Sequence, residues 1–404
     1  MSSYEYEIQT MLWKNMMDKV LIQTLNIGIK DKKNDAVLFK LPSSAKISIV
    51  ATKNKYAAAP VLINKINIKY SPKYLFVNSG NANAGTGTQG MKNAIKCAKV
   101  LSKKVKCKSN EILLFSTGII GKQLPIKIIE KNIVSTNYDY KSSWKDASKA
   151  IMTTDKYNKI ISQKITVSGK RVSVHAICKG AGMIEPNMAT MLSFATIDLN
   201  ISRKNLKLLL NKVVDKTFNR ISVDGDMSTN DSVALIATGG NTHIKTDSLK
   251  NMREIECQLE KIFTQLSEMI VMDGEGATKL ITINVLKSRS ESTAKKISYA
   301  IANSNLFKTA MHGSDANWGR IIAKLGSVDG VNFTPSKVKL FINNILLFEN
   351  ETNAKIVNHK KLESSMKNKK IKIDLFLNNG SQSYTIKTSD LSKQYVHLNS
   401  AYPS

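Results

Sequence analysis

The stretch QKITVSGKRVSVHAICKGAGMIEPNMATMLSFATID (163–198) decides how this chain is read. Residues 163–178 hold two β-rich runs joined through Ser168-Gly169, and so read as a hairpin. TMLSFATID (190–198) reads as a further strand. Between them, KGAGMIEPNMA places two flexible glycines and a fixed proline just ahead of Thr190. Such a loop, ending in a small residue and a threonine, suits strain and self-cleavage. If the Ala189–Thr190 bond breaks, Thr190 becomes N-terminal and its own amine sits beside its hydroxyl. An α-amino group titrates near 7.7–8.0 and can act as a base at neutral pH. That is the threonine/N-terminal-amine form of an activated nucleophile. An ordinary turn before a strand is the plain alternative.

The same mixed grammar extends in both directions. YLFV (74–77) is a short strand that runs into the polar loop NSGNANAGTGTQG and then a helix. Met91, Ala94, Ile95 and Ala98 fall at helical spacing on that helix. ILLF (112–115) is a second buried strand, ending in Ser116-Thr117-Gly118, and Pro125 suits the first turn of another helix. Leu206, Leu209, Leu210, Val213 and Val214 form a helical stripe. A longer helix carries Met252, Ile255, Leu259, Ile262, Phe263, Leu266, Met269 and Ile270, and ends at Asp273-Gly274 before the strand LITINV (280–285). The last hundred residues are strand-rich: KVKLFIN, KIKIDLFL and SYTIKT. The expected fold is a layered α/β (α+β) protein, without the steady strand–helix alternation of a doubly wound sheet.

Composition removes several function classes. The 404 residues carry 60 Lys+Arg against 31 Asp+Glu, a net +29. Only six of the 60 are Arg, and aromatics are 6%. Bidentate phosphate contacts favour Arg and base stacking needs aromatics, so the charge argues for solvated lysine rather than nucleic-acid binding. No apolar run approaches the roughly 20 residues of a membrane span. The N-terminus MSSYEYEIQT lacks the basic start of a secretory signal, and a cytoplasmic protein is expected. Four cysteines form no CxxC pair and five histidines form no ligand set, so neither a zinc site nor any other metal site is expected.

Two segments imitate known sites. GTGTQG (85–90) matches G-x-G-x-x-G, but seven residues separate Val77 from Gly85, where a dinucleotide fold puts the glycines at the strand end. SVDGDMSTND (222–231) looks like a calcium loop. Counted from Asp224, however, Thr229 and Leu235 stand where an EF-hand needs Gly and Glu.

KGAGMIEPNMATML resembles the autoprocessing signature of the ornithine acetyltransferase family, the glutamate N-acetyltransferases (bifunctional proteins) of arginine biosynthesis. AAAPV (57–61), NSGNANAGTG (78–87), STGIIG (116–121), AIMTTD (150–155), SVDGDMSTND (222–231), DGEGATK (273–279), GSDANWGRI (313–321) and YVHLNSAYPS (395–404) agree in order. They cover roughly residues 50–404. The first 25 or so residues depart from the family's start, and Ala316 stands where many members have proline.

The resemblance implies an N-terminal-threonine nucleophile fold shared with the β-aminopeptidases. It implies a precursor cut between Ala189 and Thr190 into an α chain (1–189) and a β chain (190–404), two of each in the mature enzyme. It implies acetyl transfer from N2-acetylornithine to glutamate through acetyl-Thr190, with no cofactor. Whether acetyl-CoA also donates stays open. Thr117 and Gly118 resemble the oxyanion hole. Thr154, Lys179, Thr190, Glu275, Asn399 and Ser404 resemble substrate contacts, with Thr153 an alternative to Thr154. The loop 78–87 would support the site from behind. A related amidohydrolase, passing the acyl group to water, is one other reading, and a basic binding protein without catalysis is the second; the presence of Thr190, Thr117 and Gly118 argues against the latter.

Overall fold

The structure, a computed structural model, describes residues 19–185, 191–354 and 357–401. Two sheets lie face to face. The first has the order β1 (Leu21–Leu25), β2 (Ala36–Lys40), β4 (Tyr74–Asn81), β5 (Ile112–Ile119). The second has the order β3 (Lys46–Ala51), β10 (Ser232–Ala237), β8 (Leu192–Ile197), β7 (Lys170–Lys179), β6 (Lys159–Val167). Only β4/β5 and β8/β10 pair in parallel within these sheets; the other neighbours are antiparallel.

Period-two alternation explains the stacking. Phe39, Leu75, Val77, Leu113 and Phe115 of the first sheet meet Ile177, Leu192, Phe194, Ala234 and Ile236 of the second in one core. The Phe194 ring lies 5.4 Å from Phe39 and 5.0 Å, edge-on, from Phe115. The alternate residues Ala195 and Ile197 face the other way, onto the helices Arg203–Lys216 and Leu249–Met272. Every residue of β8 is therefore buried, including Ser193 and Thr196, whose hydroxyls donate to the Ile177 and His175 carbonyls of β7.

The outer face of the first sheet is covered by the helices Ala59–Asn67, Gly87–Lys104 and Ile126–Ser135. The result is four layers, helix–sheet–sheet–helix. Serine oxygens start the two helices on the second sheet: Ser202 accepts from Asn205 N–H and Ser248 from Asn251 N–H. One periodic reading is corrected. Ile95 is exposed, and Cys97 and Leu101 join Ala94 and Ala98 on the buried face instead. Pro125 sits one residue ahead of its helix, at the cap.

A third sheet has the order β14 (Thr352–Asn353), β13 (Ile345–Glu349), β12 (Lys339–Ile342), β15 (Lys370–Phe376), β11 (Leu280–Ser288), β16 (Gln382–Ser389), β9 (Ile221–Ser222). It has its own core with the helices Glu291–Ala302, Asn305–His312, Trp318–Gly326 and His359–Met366. β9 belongs to the loop that precedes β10, and its parallel pairing with β16 ties this sheet to the sandwich.

The expected boundary at 189/190 divides the chain but not the fold. β3, β6 and β7 come from before it, β8 and β10 from after it, and β7 pairs with β8 from Val174↔Ile197 to Lys179↔Leu192. Truncating the shared aromatic centre should therefore weaken the whole sandwich. Phe194→Ala is expected to lower the unfolding free energy by about 3–5 kcal/mol, measured by chemical denaturation.

Candidate functional site

β5 and β7 both end at the same edge of the sandwich, and residues at those ends build the site. β5 carries Thr117-Gly118 just before its last residue and lies against β4 so closely that a Cβ on Gly118 would stand 2.3 Å from the Gly80 carbonyl carbon. Gly118 also has φ +130°, so only glycine suits this position. Lys179 ends β7. Its Nζ donates to Thr117 Oγ1 at 3.2 Å. Burial lowers the Lys179 ammonium's pKa, and the nearby Asp155, Asp231 and Glu275 carboxylates oppose that shift.

Behind Lys179 lies a buried ion cluster. Lys159, the first residue of β6, is buried, and its Nζ reaches Asp155 Oδ1 at 2.7 Å and Asp273 Oδ2 at 2.5 Å. Two carboxylates share one ammonium. Burial pushes Asp155 up, but Lys179 and Lys159 outweigh it and hold this carboxyl well below the usual range. Asp273, without the second lysine, is pushed up by burial. Lys159 itself is burdened by burial and raised overall by the carboxylates around it.

Each partner fixes a backbone segment. Asp155 accepts from Gly180 N–H (2.7 Å) and Thr153 N–H (2.9 Å), which sets the Thr153-Thr154 turn against the end of β7. Asp273 ends the helix Leu249–Met272 and accepts from Lys156 N–H. Two residues on, Glu275 N–H donates to Ala181 O at 2.9 Å.

Glu275 then packs where a Cβ on Gly182 would meet its Oε2 at 2.6 Å, so the glycine makes room for the carboxylate. Asn399 closes the site from the C-terminal helix Lys393–Ala401: its Nδ2 donates to Glu275 Oε2 at 2.9 Å. That helix is docked at its start, where Ser392 Oγ donates to Gly276 O at 2.7 Å.

The outcome is a cavity of about 170 Å³, the scale of one amino-acid-sized ligand. Thr117, Gly118, Thr154, Lys179, Glu275 and Asn399 all line it, and so does Thr153. Ala189, Thr190 and Ser404 lie outside the described residues. A larger cavity, about 710 Å³, lies against Ser314–Gly319 in the third-sheet unit, away from these residues. Ala316, the departure from proline, lines it.

Sequence reasoning missed several supports. Asp155 and Asp273 stand inside two of the matching segments, AIMTTD and DGEGATK, and that membership was the available signal. Asn230 lines the cavity and its Nδ2 donates to Ala82 O (2.6 Å) and Ser116 O (2.9 Å), binding the loop after β4 to the strand of Thr117. Lys30 donates to Ser79 Oγ and Met152 O, and burial brings its pKa down to about 8. Nothing in the sequence marks it among 54 lysines. Among the described residues no cluster of His, Cys, Asp and Glu could hold a metal ion, and no helix is long and apolar enough to cross a membrane.

The site is assembled from the segments that carry the family resemblance, and residues 21–404 match the model of the ArgJ family. The chain belongs to the ArgJ family. The match starts at residue 21. The mitochondrial arginine biosynthesis bifunctional protein ArgJ of Dictyostelium discoideum is 40% identical over 390 residues, 91% of this chain and 88% of that protein. The arginine biosynthesis bifunctional protein ArgJ of Neisseria meningitidis is 36% identical, with 96% of each chain covered. A crystal structure of the ArgJ protein of Bacillus halodurans is similar at 32% identity and TM-score 0.48, covering 51% of this chain and 97% of that one.

The ion cluster should be the costliest polar feature to break. Lys159→Met leaves two buried carboxylates without a cation, and is expected to lower stability by about 3–5 kcal/mol in a urea titration. Asp273→Asn keeps the Asp155 pair and should cost clearly less.

Proposed function

We propose that this ArgJ-family enzyme is an acyltransferase that moves the acetyl group of N2-acetyl-L-ornithine to L-glutamate through acetyl-Thr190, giving L-ornithine and N-acetyl-L-glutamate. The supporting observation is the single cavity lined by Thr117, Gly118, Thr154, Lys179, Glu275 and Asn399.

In this reading the precursor first cuts itself. Thr190 Oγ attacks the Ala189 carbonyl carbon, the peptide nitrogen leaves as the Thr190 α-amine, and water hydrolyses the resulting ester. The freed amine then takes the proton from the same hydroxyl as it attacks the acetyl carbonyl. The developing O⁻ meets the Gly118 N–H and the Thr117 hydroxyl. Lys179 donates into Thr117 Oγ1, which leaves the hydroxyl hydrogen free to point at the O⁻. The proton passes to ornithine's departing α-nitrogen. The amine of glutamate then attacks acetyl-Thr190, in ping-pong order. An amide is exchanged for an amide, so no cofactor or ATP is needed.

Glu275 supplies a negative charge for ornithine's side-chain ammonium, with Asn399 holding the carboxylate oriented. Thr154 and the Lys179 ammonium suit the α-carboxylate that both substrates carry, and Ser404 would join them from the tail. Relatives bearing the name bifunctional favour acetyl-CoA as a second donor. The interleaved β7–β8 ladder would keep the two pieces together after the cut, and we assign two α and two β chains to the mature cytoplasmic enzyme.

Thr190→Ala is expected to leave an uncut 404-residue chain on a denaturing gel, with no acetyl-enzyme by mass spectrometry and no transfer. Native enzyme given acetylornithine without glutamate should hold one acetyl group on the fragment starting at Thr190; steady release of acetate would favour the hydrolase instead. Thr117→Val removes one oxyanion donor and should lower kcat by about 10²–10³ while cleavage slows as well.

A further inference from the structure

The segment SVDGDMSTND (222–231) is not used up by the cavity, and its carboxylates hold described residues that precede and follow 186–190 in the chain. Upstream, Asp224 takes two consecutive backbone donors, Met183 N–H at Oδ2 (2.6 Å) and Ile184 N–H at Oδ1 (2.7 Å). Val223 N–H donates to Ile184 O at 2.7 Å, and Glu185 N–H donates to Asp226 O at 2.8 Å. Ile184 also bridges Met227. Three successive residues, 183–185, are thus held by one loop.

Downstream, the same segment and the residue after it, Ser232, hold Met191. Ser232 N–H donates to Met191 O at 2.9 Å, and Met191 N–H donates to the Asp231 carboxylate. Asp231 is buried, and its Oδ2 has no hydrogen-bond partner among the described residues. The segment is itself anchored between these ends. Thr52 Oγ1 donates to Ser228 O, Asn54 Nδ2 to Met227 O, Ala58 N–H to Thr229 O, and Asn230 reaches Ser116 O beside Thr117.

We propose that residues 222–231 form a clamp that fixes both ends of the segment carrying the Ala189–Thr190 bond, with Asp224 and Asp231 as positioning residues for self-cleavage. The inference rests on the self-processing reading above and deepens it. A hydroxyl reaches its own preceding carbonyl carbon in few backbone conformations. A five-residue segment with both ends free would seldom visit them, and fixing the ends prepays that entropy. A carboxylate suits the upstream end because it alone offers two equivalent acceptors to two adjacent N–H groups. The two acids have separate fates after the cut. Asp224 then holds only the new α-chain end, whereas Asp231 still holds the peptide that follows Thr190.

The test follows cleavage of newly made full-length chain with time on a denaturing gel, together with transfer per cleaved chain. Asp224→Asn puts an amide NH₂ against a backbone N–H, and Asp231→Leu removes the acceptor for Met191. Both are expected to slow cleavage at least tenfold. The cleaved fraction of Asp224→Asn should keep kcat within twofold of the native enzyme, while that of Asp231→Leu should lose kcat. Asp231→Asn keeps one acceptor and should recover most of the cleavage rate. Val213→Ala, a core change in a helix behind the second sheet, controls for lost stability and should cleave within twofold of native. Native rates in both Asp224→Asn and Asp231→Leu, or equal slowing in Val213→Ala, would overturn the clamp. A native chain that never cleaves would instead refute the self-processing reading.

Discussion

One buried ammonium holds this site together. Lys159 joins Asp155 and Asp273, 118 residues apart in sequence, and each carboxylate carries a cavity-lining neighbour: Thr154 beside Asp155, Glu275 two residues beyond Asp273. Asp155 also holds Gly180, next to Lys179. Buried ion pairs add little net stability against an apolar core of equal volume. Their value here is geometric. An apolar contact would tolerate sliding, whereas two carboxylates on one ammonium have few arrangements, and the three segments inherit that restriction.

The architecture explains why the site lies where it does. Strands of the two stacked sheets stop at a common edge, where β5 leaves Thr117-Gly118 and β7 leaves Lys179. Close packing there demands glycine at two contacts, Gly118 against β4 and Gly182 against Glu275. The third sheet contributes through its junction with the sandwich. Asp390 accepts from Thr278 and Lys279, Lys279 reaches Met311 O, Ser314 Oγ and Met366 O, and the loop carrying Glu275 is thereby braced from both sides.

The +29 charge divides into two populations. Most lysines are solvated, with ion pairs that leave one partner well exposed. A few are buried and fully occupied: Lys159 in the ion cluster, Lys279 on backbone carbonyls, and Lys308 on Thr388 and Ser389. Burial brings the Lys308 pKa down to about 8. The two populations have the same composition and opposite roles, so a bulk charge count is informative about partners and uninformative about the site.

Local pattern by itself determined the elements. The Ser168-Gly169 hairpin, the run LSFATI, the stripe from Leu206 to Val214 and the long helix stopping at Asp273 all follow from period and turn chemistry, which act over a few residues. The ordered matching segments also determined which residues to seek in the cavity, and seven of those named, Thr153 included, line it. Tertiary structure alone decided the rest. Ile95 has the right spacing yet faces solvent, because the neighbouring helix and sheet select Ala94, Cys97, Ala98 and Leu101. Asp155, Lys159 and Asp273 look like ordinary solvated charges until the chain brings them together. Their partnership depends on desolvation and on contacts over more than a hundred residues, and neither leaves a periodic trace in the sequence.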